Sequence, residues 1–414
     1  MISIHEQSWL ENTLHQSPTH THKVQEILAA VKQNGDQALR QLAQNFGDPP
    51  PGPVDLDPLI AQLAPEHKAA LDLAARNIKA FADQVMASIR PFQIQQEEFQ
   101  SGMHWQPVQR AGCYAPAGRH PLPSTVLMTG LAARAAGVPE VCLVCPRPDP
   151  AVAYAARLAN LQPVYQLGGA QAVAALAYGT ETIPKVDMVV GPGNAYVTEA
   201  KRQLQGVIGI DMLAGPSEVT ILADEGANPR WIAADLLAQA EHDPDARVIL
   251  LTWHQPLLQA VQQQLHELYQ THTYPDFLPE SLKNSALIHL KTPEDCAAAA
   301  NRLAPEHLHL AMQNPETLKP LLKNYGGLFL GYHSTVPFGD YGAGPNHTLP
   351  TAASACFASG LSPLTFLRAQ CWLHVQPQCP RLVQNTVQLA RLEGLQGHAI
   401  AAQLRSPDRQ GKAT

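Results

Sequence analysis

The chain has 414 residues, of which 45% are hydrophobic and 15% charged, a balance typical of a soluble protein with a packed core. Its formal net charge is −7 and it contains no basic tract, which argues against a nucleic-acid partner. The sequence lacks both a membrane-spanning apolar stretch and the basic-then-apolar start of a secretory signal, so we expect a cytoplasmic protein with no membrane partner.

Residues 1–100 are predicted to form a helical N-terminal region. Apolar residues recur at three- and four-residue spacings in HKVQEILAAVKQNGDQALRQLAQNF, a helical pattern that Gly35 interrupts. A proline-rich loop at 48–58 separates this pattern from a second helix at 65–89.

Residues 101–215 alternate between short apolar runs and helical patterns. EVCLVC, QPVYQL and VDMVVG are predicted strands, with helices between and after them. Such βαβα order indicates a parallel, doubly wound sheet.

Residues 216–360 repeat the same alternation, beginning with the predicted strands SEVTILA and ARVILLT. Residues 361–414 are predicted to be a helical tail. The fold class is therefore α/β, with two doubly wound, Rossmann-like parallel-sheet domains and helical terminal segments.

A glycine turn, GPGNAYV at 191–197, follows a predicted strand and opens a helix. Glycines let the backbone approach a ligand, and a helix N-terminus favours phosphate. An ordinary turn in which Asn194 caps the helix explains the same residues equally well. The GxGxxG fingerprint of dinucleotide-binding folds is absent.

Polar residues suited to metal binding or proton transfer occur in three places. Gln239 and His242 lie three residues apart at a predicted helix end, so they face the same way, on a solvated surface or across a metal. Glu306 and His307 precede a predicted strand, where a carboxylate can tune an imidazole for acid–base work if both lie in a loop. The stretch GDYGAGPNHTLPT at 339–351 has the composition of a binding loop or a glycine-rich connector. These features indicate an α/β enzyme and leave its reaction open.

The motifs together resemble the histidinol dehydrogenase family. The segments GPGNAYVTEAK and AGPSEVTILADEGANPRWIAADLLAQAEHD resemble that family's signature almost continuously. LAPEHL, GDYGAGPNHTLPT and EGLQGHA match further motifs in the same order. The resemblance implies an NAD-dependent, zinc-containing oxidoreductase of amino-acid biosynthesis that converts L-histidinol to L-histidine through the aldehyde.

The resemblance also implies residue roles. It assigns one zinc ion per subunit to a set of four ligands, and it makes His307 the base for the alcohol and Glu306 the activator of water. The implied zinc ligands are Gln239, His242, Asp340 and His398. The implied substrate contacts are these four ligands with His307, Ser217, His347 and Glu393. The implied NAD contacts are Tyr114, Gln171 and Asn194.

The family forms homodimers with shared active sites, which would make Glu393 and His398 contributions from the other subunit. The chain departs from the family pattern at Ala117, usually glycine, and at Leu122, usually aromatic. These changes allow an alternative, a related zinc and NAD dehydrogenase acting on another polar alcohol such as a sulfonated diol. Two further alternatives are a zinc-dependent hydrolase and a non-catalytic dimer stapled by zinc.

Overall fold

The computed structural model describes residues 2–5, 9, 20–116 and 121–406. The chain divides into two compact units, one of Met1–Met86 with Val108–Phe366 and one of Ala87–Pro107 with Leu367–Thr414. The predicted domain boundaries after residues 100, 215 and 360 stay a prediction. In the described part of the chain, no helix is both long enough and apolar enough to cross a membrane.

The secondary structure follows the predicted alternation of strands and helices. In the first half of the chain the elements are β1 (Ser3–His5), α1 (Thr21–Phe46), β2 (Gly52–Pro53), α2 (Asp57–Ile60), α3 (Pro65–Ser88), β3 (Phe92–Gln95), β4 (Phe99–Pro107), β5 (Arg110–Tyr114), α4 (Pro123–Ala135), β6 (Glu140–Cys145), α5 (Pro150–Leu158), β7 (Val164–Gln166), α6 (Gly169–Tyr178), β8 (Met188–Val190), α7 (Ala195–Leu204) and β9 (Gly209–Ile210). In the second half they are β10 (Glu218–Ala223), α8 (Pro229–Ala240), β11 (Arg247–Thr252), α9 (Gln255–Thr271), α10 (Leu278–Ser281), β12 (Ala286–His289), α11 (Pro293–Leu303), β13 (His307–Ala311), β14 (Gly327–Leu330), α12 (Val336–Tyr341), β15 (Leu367–Val375), α13 (Pro380–Leu392) and α14 (Gln396–Gln403).

The first sheet of the larger unit has the strand order β2-β7-β6-β5-β8-β9. Its pairs are parallel except at β2, and the order reverses direction at β5. Helices α1, α6 and α7 pack together, and α4 packs against α5. Helix α6 is buried nearly all round, which suits its alanine-rich sequence because small side chains allow close packing.

The second sheet has the order β1-β12-β11-β10-β13-β14, all parallel, and reverses direction at β10. Apolar residues of α8 and α9 form one core cluster with the sheet, and those of α11 form another. Two doubly wound parallel sheets confirm the predicted fold class. In such sheets, ligands gather at the carboxyl edge where the order reverses.

Three local predictions needed correction. The predicted break at Gly35 is a kink inside one helix, where Gly35 has a φ of 49°. The stretch predicted as a loop from residue 339 begins in the last turn of α12, which holds Asp340 and Tyr341. The regions predicted as helical near both ends also contain strands, and β15, β4 and β3 form an antiparallel sheet in the smaller unit.

Candidate active site

A cavity of about 230 Å³ in the larger unit collects most of the predicted site residues. Its walls come from the turns that follow strands β5 and β8 of the first sheet and from the amino ends of β10 and β13 in the second. The lining includes Ser217, Gln239, His242, Glu306, His307, Asp340 and His347. The structure therefore brings these seven residues together. We refer to this space as the catalytic cavity.

Glu306 and His307 are both tied to the backbone of Glu218, at the amino ends of the neighbouring strands β13 and β10. The backbone N–H of Glu218 donates to Glu306 Oε2 at 2.9 Å, and His307 Nδ1 donates to the Glu218 carbonyl at 3.2 Å. Successive side chains within a strand point to opposite faces of the sheet. Glu306 lies before the start of β13, outside the strand, so this rule does not force its side chain away from that of His307. His307 Nδ1 and Glu306 Oε2 lie 3.5 Å apart.

His307 presents its other ring nitrogen towards Asp340. The distance from Nε2 to Asp340 Oδ1 is 3.6 Å, too long for a hydrogen bond, and Nε2 has no hydrogen-bond partner among the described residues. Because Nδ1 carries the proton donated to Glu218, neutral His307 has a free lone pair on Nε2. This buried nitrogen can accept a proton from a bound molecule.

The charges around His307 favour its protonated form. Burial acts to lower the pKa of His307, but the carboxylates of Glu306 and Asp340 outweigh burial and raise this pKa to about 10. Burial acts in the opposite sense on Asp340, yet His307, His347 and His242 together lower the pKa of the Asp340 carboxyl. The catalytic cavity thus holds an anionic carboxylate among three imidazoles.

Two contacts orient the ring of His347, and burial favours its neutral form. Its Nδ1 donates to the backbone carbonyl of Asp340 at 2.8 Å, and the Thr125 hydroxyl lies 3.1 Å from Nε2, where it can donate. Burial lowers the pKa of His347. Nearby, the Asn346 side chain donates to the Met128 carbonyl at 2.8 Å, which ties this loop to α4.

Gln239 and His242 lie where the sequence predicted, at the end of a helix. Gln239 is in the last turn of α8 and buried, and His242 follows the helix and is exposed. The N–H of His242 donates to the Gln239 carbonyl at 3.4 Å. Helix α8 runs back along the sheet after β10, which places its C-terminus at the amino edge of the strands.

Glu393 and His398 belong to the smaller compact unit. Glu393 caps the C-terminus of α13, where its N–H donates to the Leu389 carbonyl at 3.0 Å, and His398 lies in α14. Both are exposed. Within the described ranges, no cluster of three or more His, Cys, Asp or Glu residues has the arrangement of a metal site.

A second cavity, of about 530 Å³, contains the three residues predicted to contact NAD. Tyr114 ends β5, Gln171 lies in the first turn of α6, and Asn194 precedes α7, so all three lie at the carboxyl edge of the first sheet. The Asn194 side chain accepts from the N–H groups of Tyr196 and Val197, so the capping interpretation holds. We call this space the nucleotide cavity. Pro116 lines it as well as the catalytic cavity.

Two residues that sequence reasoning missed support the catalytic cavity. Thr125 contacts His347, and the buried Glu218 side chain accepts from Arg247 Nη2 at 2.7 Å and from the Ala352 N–H at 2.7 Å. The sequence did contain a signal for Glu218, since it is an acidic residue that begins the apolar strand EVTILA. Acidic residues are rarely buried unless they are paired, so this position indicated a buried partner. Thr125 gave no signal in the sequence. Of the two departures from the family pattern, Leu122 lines the catalytic cavity, and Ala117 lies outside the described residues.

The comparisons with known proteins agree on one family. The sequence profile described as histidinol dehydrogenase matches residues 11–406. Histidinol dehydrogenase 1 from a Nostoc species is 42% identical, over 92% of this chain and 91% of that protein. Histidinol dehydrogenase from Aquifex aeolicus is 40% identical, over 93% and 92%. The crystal structure of histidinol dehydrogenase from Elizabethkingia anophelis superposes with a TM-score of 0.91 at 33% identity, covering 98% of both chains.

Proposed function

The chain belongs to the histidinol dehydrogenase family, whose members are NAD-dependent oxidoreductases, and we propose that it oxidises L-histidinol to L-histidine in two steps in the catalytic cavity. The observation that carries this proposal is the Glu306–His307 pair, held on one strand backbone beside Asp340. The first step converts the alcohol to the aldehyde and releases one proton. The second adds water and converts the aldehyde to the carboxylate with two further protons. NAD supplies the hydride acceptor for both oxidations, so each histidinol yields two NADH.

In the first step, His307 takes the hydroxyl proton of the alcohol on Nε2. This nitrogen has no other hydrogen-bond partner among the described residues, and its ring is oriented by the bond from Nδ1 to the Glu218 carbonyl. A positioned base of this kind typically contributes about 10²- to 10⁴-fold to rate. His307 acts as the base for the alcohol in its neutral form, which the positive charge of a bound zinc ion would favour over the protonated form that the carboxylates favour without metal.

In the second step, Glu306 accepts a proton from the attacking water. Its carboxylate is buried, and the Glu218 N–H holds Oε2 in place. Because Glu306 and His307 both bind the backbone of Glu218, the two proton acceptors are positioned by one residue. Ser217 and His347 line the same cavity, where they would contact the substrate.

Gln239, His242 and Asp340 would hold the zinc ion, with His398 as the fourth ligand. Imidazole and carboxylate are ordinary zinc ligands, and an amide oxygen is a weaker one. The three residues of the larger unit fit the ion, since they line one cavity and the anionic Asp340 lies beside the unpartnered His307 Nε2. When bound, zinc supplies a positive charge that orients the substrate. The same charge would lower the pKa of His307, in the opposite sense to the nearby carboxylates.

A chelator tests the metal. We expect it to abolish NADH formation and added Zn²⁺ to restore it, with His242→Ala losing zinc by elemental analysis. Persistence of full activity in metal-free protein would refute the zinc assignment.

NAD would bind in the nucleotide cavity, against Tyr114, Gln171 and Asn194. The cavity lies at the carboxyl edge of a doubly wound sheet, beside the strand where the order reverses, which is the usual nucleotide position in such folds. Gly169, with a φ of 69°, starts α6 there, and its N–H donates to the Tyr114 hydroxyl at 3.1 Å. The N-termini of α6 and α7 both meet this cavity and favour the negative charge of a pyrophosphate.

The active protein would be a homodimer in the cytoplasm, with Glu393 and His398 completing the partner's site. All seven cysteines are free, which suits a reducing compartment. His242→Ala and His398→Ala chains should each be inactive, and mixing them as heterodimers should restore one site in two. No recovery after proven mixing would refute the shared site.

The stoichiometry of NADH tests the reaction. We expect two NADH per L-histidinol from the native chain. Glu306→Gln should still form the first NADH and slow the second by about 10²- to 10⁴-fold, because only the water step loses its base. One NADH per native turnover, or no turnover, would refute the proposal.

A second candidate is a dehydrogenase of the same type acting on another polar alcohol, such as a sulfonated diol. Leu122 favours it, because this departure from the family pattern lies in the wall of the catalytic cavity. A panel of alcohols that includes histidinol and a sulfonated diol distinguishes the two by kcat/KM.

A further inference from the structure

A lysine and an aspartate are buried together beneath the turn that separates the two cavities. Lys201 of α7 and Asp211, which follows β9, form an ion pair whose side chains are 2% and 0% exposed. Burying two charges is costly unless each has good hydrogen-bond partners. The other hydrogen bonds of the two side chains are therefore needed to stabilise the buried pair.

Both members of the pair bind the same residue. Lys201 Nζ donates to the Gly191 carbonyl at 2.9 Å, and Asp211 Oδ2 accepts from the Gly191 N–H at 2.7 Å. Asp211 Oδ1 also accepts from the Met212 N–H at 2.7 Å. Both backbone polar groups of Gly191 are thus fixed by one buried ion pair.

Only glycine fits the position of Gly191 without strain. Its φ is 112°, a conformation that side chains rarely allow, and an added Cβ would overlap the Tyr114 carbonyl oxygen. Tyr114 in turn lines the nucleotide cavity. The ion pair therefore holds a glycine that must pack directly against the end of β5.

The residues after Gly191 form walls of both cavities. Pro192 and Gly193 line the catalytic cavity, and Asn194 lines the nucleotide cavity. Helix α7 also contacts a second segment of the lining, because the Thr198 hydroxyl donates to the Ala214 carbonyl at 2.9 Å and Ala214 lines the catalytic cavity. One helix and its buried ion pair thus set the spacing of these walls.

We propose that Lys201 and Asp211 are positioning residues that hold the Gly191–Asn194 turn, and so align bound NAD with the substrate for hydride transfer. This inference rests on the proposed use of the nucleotide cavity for NAD. Neither side chain is among the residues that line either cavity, so the pair acts through the turn. A small displacement of this turn changes the distance over which hydride moves, and reaction rates are sensitive to such distances.

Lys201→Met in the full-length protein tests the proposal, because methionine keeps the unbranched shape and removes the ammonium. We expect the KM for NAD and the Kd for NADH, measured by fluorescence, to rise about tenfold, as for the loss of one or two hydrogen bonds. The rate of hydride transfer in a single turnover at saturating NAD should fall as well, because the turn no longer fixes the distance to the substrate. The KM for histidinol should change by less than about threefold, since the catalytic residues keep their own contacts. Asp211→Asn, which keeps the side-chain shape, should shift the same constants in the same direction and serves if Lys201→Met does not fold.

Thr252→Val is the matched control, because Thr252 is fully buried and its hydroxyl donates to the Ala223 carbonyl away from both cavities. Substitution of a residue whose role is only structural lowers the fraction of folded enzyme. The apparent kcat then falls, and the KM for NAD of the remaining folded enzyme is unchanged. We expect that behaviour from Thr252→Val and not from the ion-pair variants. Ion-pair variants that match the control in every constant would overturn the proposal.

Asn194→Ala distinguishes this inference from the assignment of the cavity. If Asn194→Ala weakens NADH binding and neither ion-pair variant does, the positioning role is wrong and the nucleotide cavity stands. If NADH binding is unchanged in all three variants, the cavity assignment fails and the positioning role fails with it.

Discussion

Replacing Arg247 by methionine would leave the buried carboxylate of Glu218 without its cation. The two side chains are 10% and 7% exposed, and Arg247 Nη2 lies 2.7 Å from Glu218 Oε2. Removing one partner of a buried pair typically costs about 3–5 kcal/mol, because the remaining charge is uncompensated. An unfolding entropy of about 2.1 cal/mol/K per residue makes 1 kcal/mol worth about 1 °C in a chain of 414 residues. We therefore expect Arg247→Met to lower the melting temperature by about 3–6 °C.

Glu218→Gln leaves the opposite charge, because Arg247 then becomes the buried ion without the counter-charge of Glu218. Glutamine retains a side-chain oxygen that can accept from the Ala352 N–H, now bound at 2.7 Å. We expect a loss of about 3–5 kcal/mol, the same range as for Arg247→Met.

The double variant Glu218→Gln/Arg247→Met decides whether uncompensated charge is the cause. It should be more stable than Arg247→Met alone, because its carboxylate is gone. Thermal unfolding of the four proteins at one pH completes a double-mutant cycle. A double variant that loses the full sum of the two single effects would refute the reasoning.

Three further predictions follow from the same contacts. First, the loss of stability caused by Arg247→Met should shrink between pH 8 and pH 5.5. Burial raises the pKa of Glu218 and Arg247 opposes that rise, so the energetic cost of the unpaired anion disappears as the pH falls below the folded-state pKa towards the unfolded value of about 4.3. A loss of stability that is the same at both pH values in thermal unfolding would contradict this. Second, Thr125→Val should lower kcat/KM for histidinol about tenfold by removing the hydroxyl that contacts His347 Nε2. Thr129→Val is the control, because Thr129 is buried in the same helix, donates to the Thr125 carbonyl and does not line the catalytic cavity. Equal kinetics in the two variants would exclude the role of the Thr125 hydroxyl. Third, Gly191→Ala should raise the KM for NAD by about tenfold or prevent folding, because the added methyl overlaps a backbone oxygen; a folded variant with native constants would contradict the strain.

The periodicity of the chain was sufficient to predict the two sheets. Strands such as EVCLVC and ARVILLT are short, apolar and bounded by turn residues, and helices with one apolar face lie between them. The sheet of β15, β4 and β3 could not be predicted in the same way. Its main pairing joins residues roughly 260 to 276 positions apart, and strand β15 is mostly exposed while β4 is mostly half-buried, so neither a local pattern nor full burial indicates it.

Site residues were predictable where several motifs matched a family in order. Glu306, His307, Gln239 and His242 were predicted as site residues in that way, and the structure brings them to one cavity. Residues that support them were harder to find. Lys201 lies four residues after Val197 on the buried face of α7, and a charge on an apolar face was its only signal.

The sequence by itself determined the alternation of elements, the family and the residue types available for chemistry, because these depend on local pattern and on motif order. Only the tertiary structure decided where they meet. The catalytic cavity joins the carboxyl edge of one sheet to the amino edge of the other, and no local pattern encodes that apposition. The partners of buried charges were decided there too, since Glu218 finds Arg247 and Lys201 finds Asp211 only when strands and helices pack and water is excluded.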